Sequence, residues 1–209
     1  MQKEKLIDFL KGAFPDNYQE LLKSFETYYS WLVEENSKIN LISRQTCLED
    51  IWTQHILDSL LSIRYVNFSG KRILDFGTGG GFPGIPLAIV YPDSSVTLLD
   101  SRKKKIQALK SAVNVLGLQN CSFIDMRIEE VTAKLFNSFD IIVSRSVKML
   151  PEFCKPLMNL LRKEGKLVLY KSRILDDVSL FESAQIFDAS DALIGERKIV
   201  VIPKKSIAN

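Results

Sequence analysis

The sequence predicts an α/β protein: a doubly wound, mostly parallel sheet with a small N-terminal helical module in front of it. Three observations carry that expectation. From Arg72 to Tyr170, short apolar runs alternate with segments of helical length, the pattern of strands joined by right-handed crossover helices. At 72–84 an apolar run breaks into glycines, RILDFGTGGGFPG, and is followed by a helix-compatible run from Ile85 to Val90. The segment before residue 64 is dominated by apolar residues at helical spacing.

Taken in order, Leu6, Ile7, Phe9 and Leu10 form one helical face, and Tyr18, Leu21, Leu22, Phe25, Tyr28, Tyr29 and Leu32 form a longer one. Asp16, after Pro15, is the expected N-cap of the second helix. Asn36–Ser43 reads as a turn, and Leu48–Ile63 returns to helical spacing. The expected division is a helical module over 1–70 and a core over 71–209 that forms one compact unit. Strands are expected at 72–76, 96–99, 121–124, 141–143 and 166–170. Helices are expected at 85–90, at 103–116 with Gly117 as C-cap, and at 151–161 with proline in the first turn. A polar helix over Asp177–Gln185 and a β-rich run over Arg197–Ile202 complete the reading. Lys204 and Lys205 read as a solvated tail.

Composition narrows the function classes. Of 209 residues, 46% are hydrophobic and 25% charged, the balance of an ordinary globular domain. No apolar run has the length of a membrane span, and MQKEKLIDFLKG lacks the apolar stretch of a signal peptide. Cys47, Cys121 and Cys154 are odd in number and widely spaced, so neither a disulfide framework nor a zinc site is expected, and a reducing cytoplasm is the natural setting. A net charge of +3 permits a local nucleic-acid patch without requiring one.

A strand, a glycine loop and a helix N-terminus together make a nucleotide cradle. Gly79, Gly81 and Gly84 match the dinucleotide spacing, but the first of them lies two residues too late after the strand. The frame Asp75, Gly77, Gly79, Gly81 fits better. An acidic residue at the strand end can accept from the ammonium of S-adenosylmethionine, and a pyrophosphate has no use for it. Asp100 ends the second strand at about the 20-residue interval of a ribose clamp, and would otherwise be a helix N-cap. Asp125–Glu129 follow the third strand, where an adenine would lie. Ser144, Arg145 and Ser146 follow the fourth, where the reactive centre falls, and Lys171 ends the fifth. Arg102, Lys103, Lys104 and Lys105 open a helix on the ligand edge, as a solvated face or as contacts to RNA phosphate. His55, the single histidine, reads as part of a structural hydrogen-bond network with Asp58 and Ser59. No second histidine, serine elbow or Cys–His pair supports acid–base or nucleophilic catalysis.

NLIS at 40–43, HILDS at 55–59, ILDFGTGGGFPGIPLAI at 73–89, LLDSRKKK at 98–105, the 127–130 segment and SRS at 144–146 occur in one order. Together they resemble the glucose-inhibited division protein B family over nearly the whole chain. Those are bacterial, Rossmann-like class I methyltransferases that use S-adenosylmethionine to methylate guanine N7 in small-subunit (16S) ribosomal RNA. The resemblance implies that Gly77, Phe82, Ile128, Glu129 and Arg145 contact the cofactor; Asp75, Gly79 and Asp100 are expected there from the strand-end reading above. It also implies that Arg127, Arg145 and Lys171 serve the active centre. The family pattern has SRA where this chain has Ser144-Arg145-Ser146, and KG where it has Lys171-Ser172.

The expected partner is small-subunit ribosomal RNA or an assembly intermediate, bound by a monomer with no metal and no membrane. Three rivals are a methyltransferase on another substrate, a nicotinamide dehydrogenase, and a non-catalytic RNA-binding or assembly factor.

Overall fold

Seven strands make one sheet in the order β3-β2-β1-β4-β5-β7-β6 in the computed structural model, which describes residues 1–204. β1 (Arg72–Phe76), β2 (Ser95–Leu99), β3 (Cys121–Ile124), β4 (Phe139–Arg145) and β5 (Leu161–Lys171) are parallel. β7 (Lys198–Pro203) and the edge strand β6 (Gln185–Asp188) are antiparallel. Helices cover both faces, so β1 is buried from Ile73 onwards and reads as an unbroken apolar run around one aspartate. Strand order reverses between β1 and β4, and a doubly wound sheet opens its binding crevice at such a point.

The helices that place the site follow their local chemistry. α4 (Gly84–Val90) is wholly buried, and α5 (Lys103–Leu116) ends on Gly117 at φ 67°, the left-handed cap expected there. α6 (Pro151–Leu160) has its proline at the first position. β5 starts five residues earlier than its apolar run suggests. Its register with β4 breaks between Phe139 and Ile141, and Gly165 packs where a Cβ would lie 2.9 Å from the Arg162 carbonyl.

α1 (Gln2–Ala13) and α2 (Tyr18–Lys38) precede the sheet. α2 is capped by Asn17 rather than Asp16, with no side-chain cap hydrogen bond, and it runs through the start of the expected turn. Its Asn36 carboxamide oxygen accepts from Leu41 N (2.8 Å) and Ile42 N (3.0 Å), which closes the helix and folds NLIS back onto the core. Residues 48–64 are not one helix. A 3-10 turn (Leu48–Asp50), a π-helix (Ile51–Leu57), one α turn, α3 (Asp58–Leu60), and a second 3-10 turn (Leu61–Arg64) follow one another. Apolar faces of α1, α2 and this segment join one continuous cluster with α4, α5 and the sheet.

Two tail expectations are corrected. Asp177–Gln185 is a 3-10 turn (Asp176–Leu180) followed by the start of β6. Asp177 is buried in an ion pair, which an exposed polar helix would not allow. The Lys204 ammonium donates to the Leu161 carbonyl (2.5 Å) and to Asn137 Oδ1 (2.6 Å), so it is not a free tail; Lys205 lies outside the described residues. Among the described residues, no helix is long and apolar enough to cross a membrane.

Candidate active site

The glycine loop is held from three sides. Gly77 N and Thr78 N both donate to the Leu99 carbonyl, at 2.9 and 3.0 Å, tying the loop to β2. Gly77 sits at φ 71°, a conformation that costs glycine little, and a Cβ there would lie 2.5 Å from Val147 Cγ2. Gly84 lets α4 approach β1: a Cβ would run into Leu98 and lie 2.6 Å from the Asp75 carboxylate. From the N-terminal helices, the Tyr28 hydroxyl donates to the Gly80 carbonyl (2.5 Å).

Asp75 works inside this loop rather than on its outer surface. It is fully buried, and its Oδ2 accepts from Thr78 Oγ1 (2.6 Å) and Gly84 N (2.8 Å), while Oδ1 has no partner among the described residues. Burial raises its pKa to about 6, against the pull of those two hydrogen bonds and of Arg145. The carboxylate lines neither of the two cavities at the strand ends; its contacts shape the loop.

In front of the loop lies a cleft of about 230 Å³ between Gly77, Asp100, Met126, Arg127, Ile128, Glu129, Val147 and Phe153. Asp100 stands at its rim. Oδ2 accepts from Gly79 N (3.0 Å) and Oδ1 from Arg102 N (2.8 Å), so it both braces the loop and leads into α5. Each oxygen keeps a lone pair for a further donor. Ile128 is buried as an apolar floor, and Arg127 and Glu129 are exposed beside it. Polar donors and acceptors at one end with an apolar slot behind suit an adenosine group.

The basic run at 102–105 divides. Arg102, Lys103 and Lys104 are exposed, whereas Lys105 is half-buried against the glycine loop, its ammonium 3.8 Å from where a Gly79 Cβ would be. Burial lowers the Lys105 pKa, and Asp100 opposes that shift.

A second cavity, of about 530 Å³, opens past the ends of β4 and β5. Its wall is built around Asp58, which is 3% exposed and unites three parts of the chain. Asp58 Oδ2 accepts from Arg145 Nη1 (2.9 Å) and Oδ1 from Arg197 Nε (2.9 Å). Arg145 Nη1 also donates to the carbonyls of Gln54 (3.0 Å) and His55 (3.3 Å) in the π-helix, and Nη2 contacts His55 Nδ1 at 3.1 Å. The guanidinium carbon lies 4.9 Å from the centre of the Phe82 ring. His55 is held neutral: burial first, then Arg145 and Arg197, bring its pKa down to about 3. His55 is thus structural, as expected, with Ser59 Oγ donating to its carbonyl (2.6 Å), but its main partner is Arg145. Phe82 is buried beneath this network and lines neither cavity.

Lys171 donates to Asp177 Oδ2 and, at 3.3 Å, to the Val147 carbonyl; Met149 N donates to the same Asp177 oxygen (2.8 Å). Tyr170, buried in this wall, donates to the Ser59 carbonyl (2.9 Å). Among the described residues no three His, Cys, Asp or Glu side chains gather as a metal site. The residues expected at one centre divide in the fold: Gly77, Asp100 and Arg127–Glu129 line one cleft, whereas Arg145 and Lys171, expected beside Arg127, line the neighbouring cavity, and neither Arg145 nor Phe82 lines the cleft around Asp100. Sequence reasoning missed Tyr28, Val147, Asp177 and Arg197, which carry no local motif.

A seven-stranded sheet of this order, with a glycine loop after β1 and an acidic residue after β2, defines the fold of the S-adenosylmethionine-dependent methyltransferases. A SAM-dependent methyltransferase from Aquifex aeolicus superposes with a TM-score of 0.60 at 16% identity, over 73% of this chain and 92% of that one. The tRNA (m1A58) methyltransferase TrmI of the same organism gives 0.58 at 14%, over 73% and 69%. The chain belongs to the GidB family, rRNA small subunit methyltransferase G, whose model matches residues 21–194. A ribosomal RNA small subunit methyltransferase G from Christiangramia forsetii is 35% identical, over 95% of this chain and 98% of the relative.

Proposed function

We propose that this protein transfers a methyl group from S-adenosylmethionine to N7 of a guanine in small-subunit ribosomal RNA. The observation that carries the reading is the adjacency of two unlike cavities at the sheet's switch point. One has an adenosine-like lining around Asp100, and the other is edged by Arg145, Lys148, Lys171 and Arg197. S-adenosylmethionine, when bound, supplies an electrophilic methyl on a sulfonium centre.

The chain's own residues bind and orient. Asp100 would accept from ribose hydroxyls, and Met126, Arg127, Ile128 and Glu129 would hold the adenine. Gly77 and Gly79 let the backbone come close. Guanine N7 carries a free lone pair, so the transfer needs neither a general base nor a Lewis acid, and alignment alone can supply roughly 7–11 kcal/mol. Arg145 and Arg197 hold the wall against which the base would lie. The exposed Arg102, Lys103 and Lys104 would meet phosphates, since structured RNA is read largely by shape and backbone. The helices over 1–70 serve as a brace for the glycine loop and the cavity wall. The RNA would be met in the cytoplasm, free or in an assembling subunit, by a monomeric enzyme.

The test is to incubate the protein with methyl-labelled S-adenosylmethionine and small subunits lacking the modification, then map the label. Label at N7 of one guanine is expected. Cofactor binding without transfer to any ribosomal substrate would overturn the reading.

A further inference from the structure

We infer that Val147 is a positioning residue at the junction where methyl transfer takes place, and that Lys171 and Asp177 act through it. The inference rests on the function proposed above. Val147 is the one residue that lines both cavities. Asp100, Ser101 and Met126–Glu129 account for the adenosine end of the cleft. What remains is Phe76, Gly77, Phe153 and Val147, so the sulfonium end of the cofactor must face that wall. The second cavity begins on the other side of the same side chain.

The backbone around Val147 is held in place. Ser146 adopts φ 61°, a left-handed conformation uncommon for a residue with a Cβ. The Val147 carbonyl takes the Lys171 ammonium at 3.3 Å, and two residues on, Met149 N donates to Asp177 (2.8 Å). Lys171 and Asp177 are 11% and 4% exposed, and they pair with each other. The Lys171 ammonium uses two of its three donors on a carboxylate and on the Val147 carbonyl, which ties it to this backbone. A β-branched side chain on a held backbone has few rotamers, so Val147 presents a rigid apolar surface. That surface presses on Gly77, close enough to exclude a Cβ there.

A wall at the sulfonium end should distinguish S-adenosylmethionine from S-adenosylhomocysteine, which lacks the methyl; a merely structural residue would weaken both alike. The experiment is calorimetric titration of both ligands into the wild-type protein, Val147→Ala, Val147→Ile, and the paired variant Lys171→Met with Asp177→Asn, which leaves no lone buried charge. Val147→Ala should change the ratio of the two dissociation constants at least ~10-fold, the lower end of what one methylene commands in a pocket. Val147→Ile should keep the wild-type ratio, and the paired variant should shift it in the same direction as alanine. Equal shifts for both ligands, or an unchanged ratio, would overturn the inference while leaving the cofactor assignment intact. Wild-type protein that binds neither ligand would overturn both.

Discussion

The two cavities are built by different means. The smaller cleft is lined by residues that come shortly after parallel strands: Gly77 after β1, Asp100 after β2 and the turn at 126–129 after β3. The second cavity is made of buried ion pairs between distant segments, with Asp58 joined to residues 87 and 139 positions away. A cleft made of strand-end turns depends on a few local conformations. A charged wall depends on every partner being present, because each buried charge is offset only by the others.

The sharpest way to break this contrast is Asp58→Ala. It leaves two arginines, 9% and 23% exposed in their side chains, without their carboxylate. Loss of one partner from such a network costs about 3–5 kcal/mol. We expect a fall of that size in urea denaturation. A loss under about 1 kcal/mol would show that the wall does not depend on this carboxylate.

Asp100→Ala probes the other cavity. It removes charge-assisted acceptors worth about 1.5–3 kcal/mol, so S-adenosylmethionine affinity should fall roughly 10- to 150-fold by calorimetry. Stability should fall far less than in the Asp58 variant. Unchanged affinity would remove Asp100 from the cofactor site.

His55→Gln tests the wall by pH. The histidine pKa is depressed in the folded protein to about 3 from an unfolded 6.5, so below pH 6.5 the unfolded chain binds the extra proton. That contribution is fully present above pH 6.5 and is lost as pH falls towards 3. The wild type should therefore lose stability relative to the glutamine variant between pH 7 and pH 5 in parallel denaturation curves. Asp75 runs the opposite way between about 4 and 6, its pKa being raised, but it is common to both proteins and cancels. Parallel pH profiles would show that His55 is not held neutral.

The smallest effect is expected outside both cavities. Reversing Lys103 and Lys104 to glutamate should leave stability and cofactor affinity nearly unchanged. The salt slope of RNA binding should fall by about one for each phosphate that is no longer neutralised. An unaltered slope would return these lysines to an ordinary solvated face.

What the sequence determined by itself is what neighbours along the chain decide. A glycine cluster behind an apolar run, an aspartate ending the next strand, Gly117 closing α5 and Pro151 opening α6 were all legible, because each acts within a few residues. The cleft residues were legible for the same reason, since strand ends in a parallel sheet converge on one edge. Tertiary structure decided the rest. The π-helix over Ile51–Leu57 has amphipathic spacing like any helix, and its geometry accompanies the carbonyls that Arg145 engages from β4. Asp177 looked like a polar helix residue until Lys171 and Met149 N came to it from other elements. Asp75 reads as a strand-end acceptor, and only the close approach of α4 through Gly84 decides that its carboxylate is buried against Gly84 N and Thr78. Val147 carries no sequence signal at all. Its place between the two cavities comes from the fold bringing the end of β4 against the glycine loop after β1, because chain pattern records what each residue is and only packing decides what it meets.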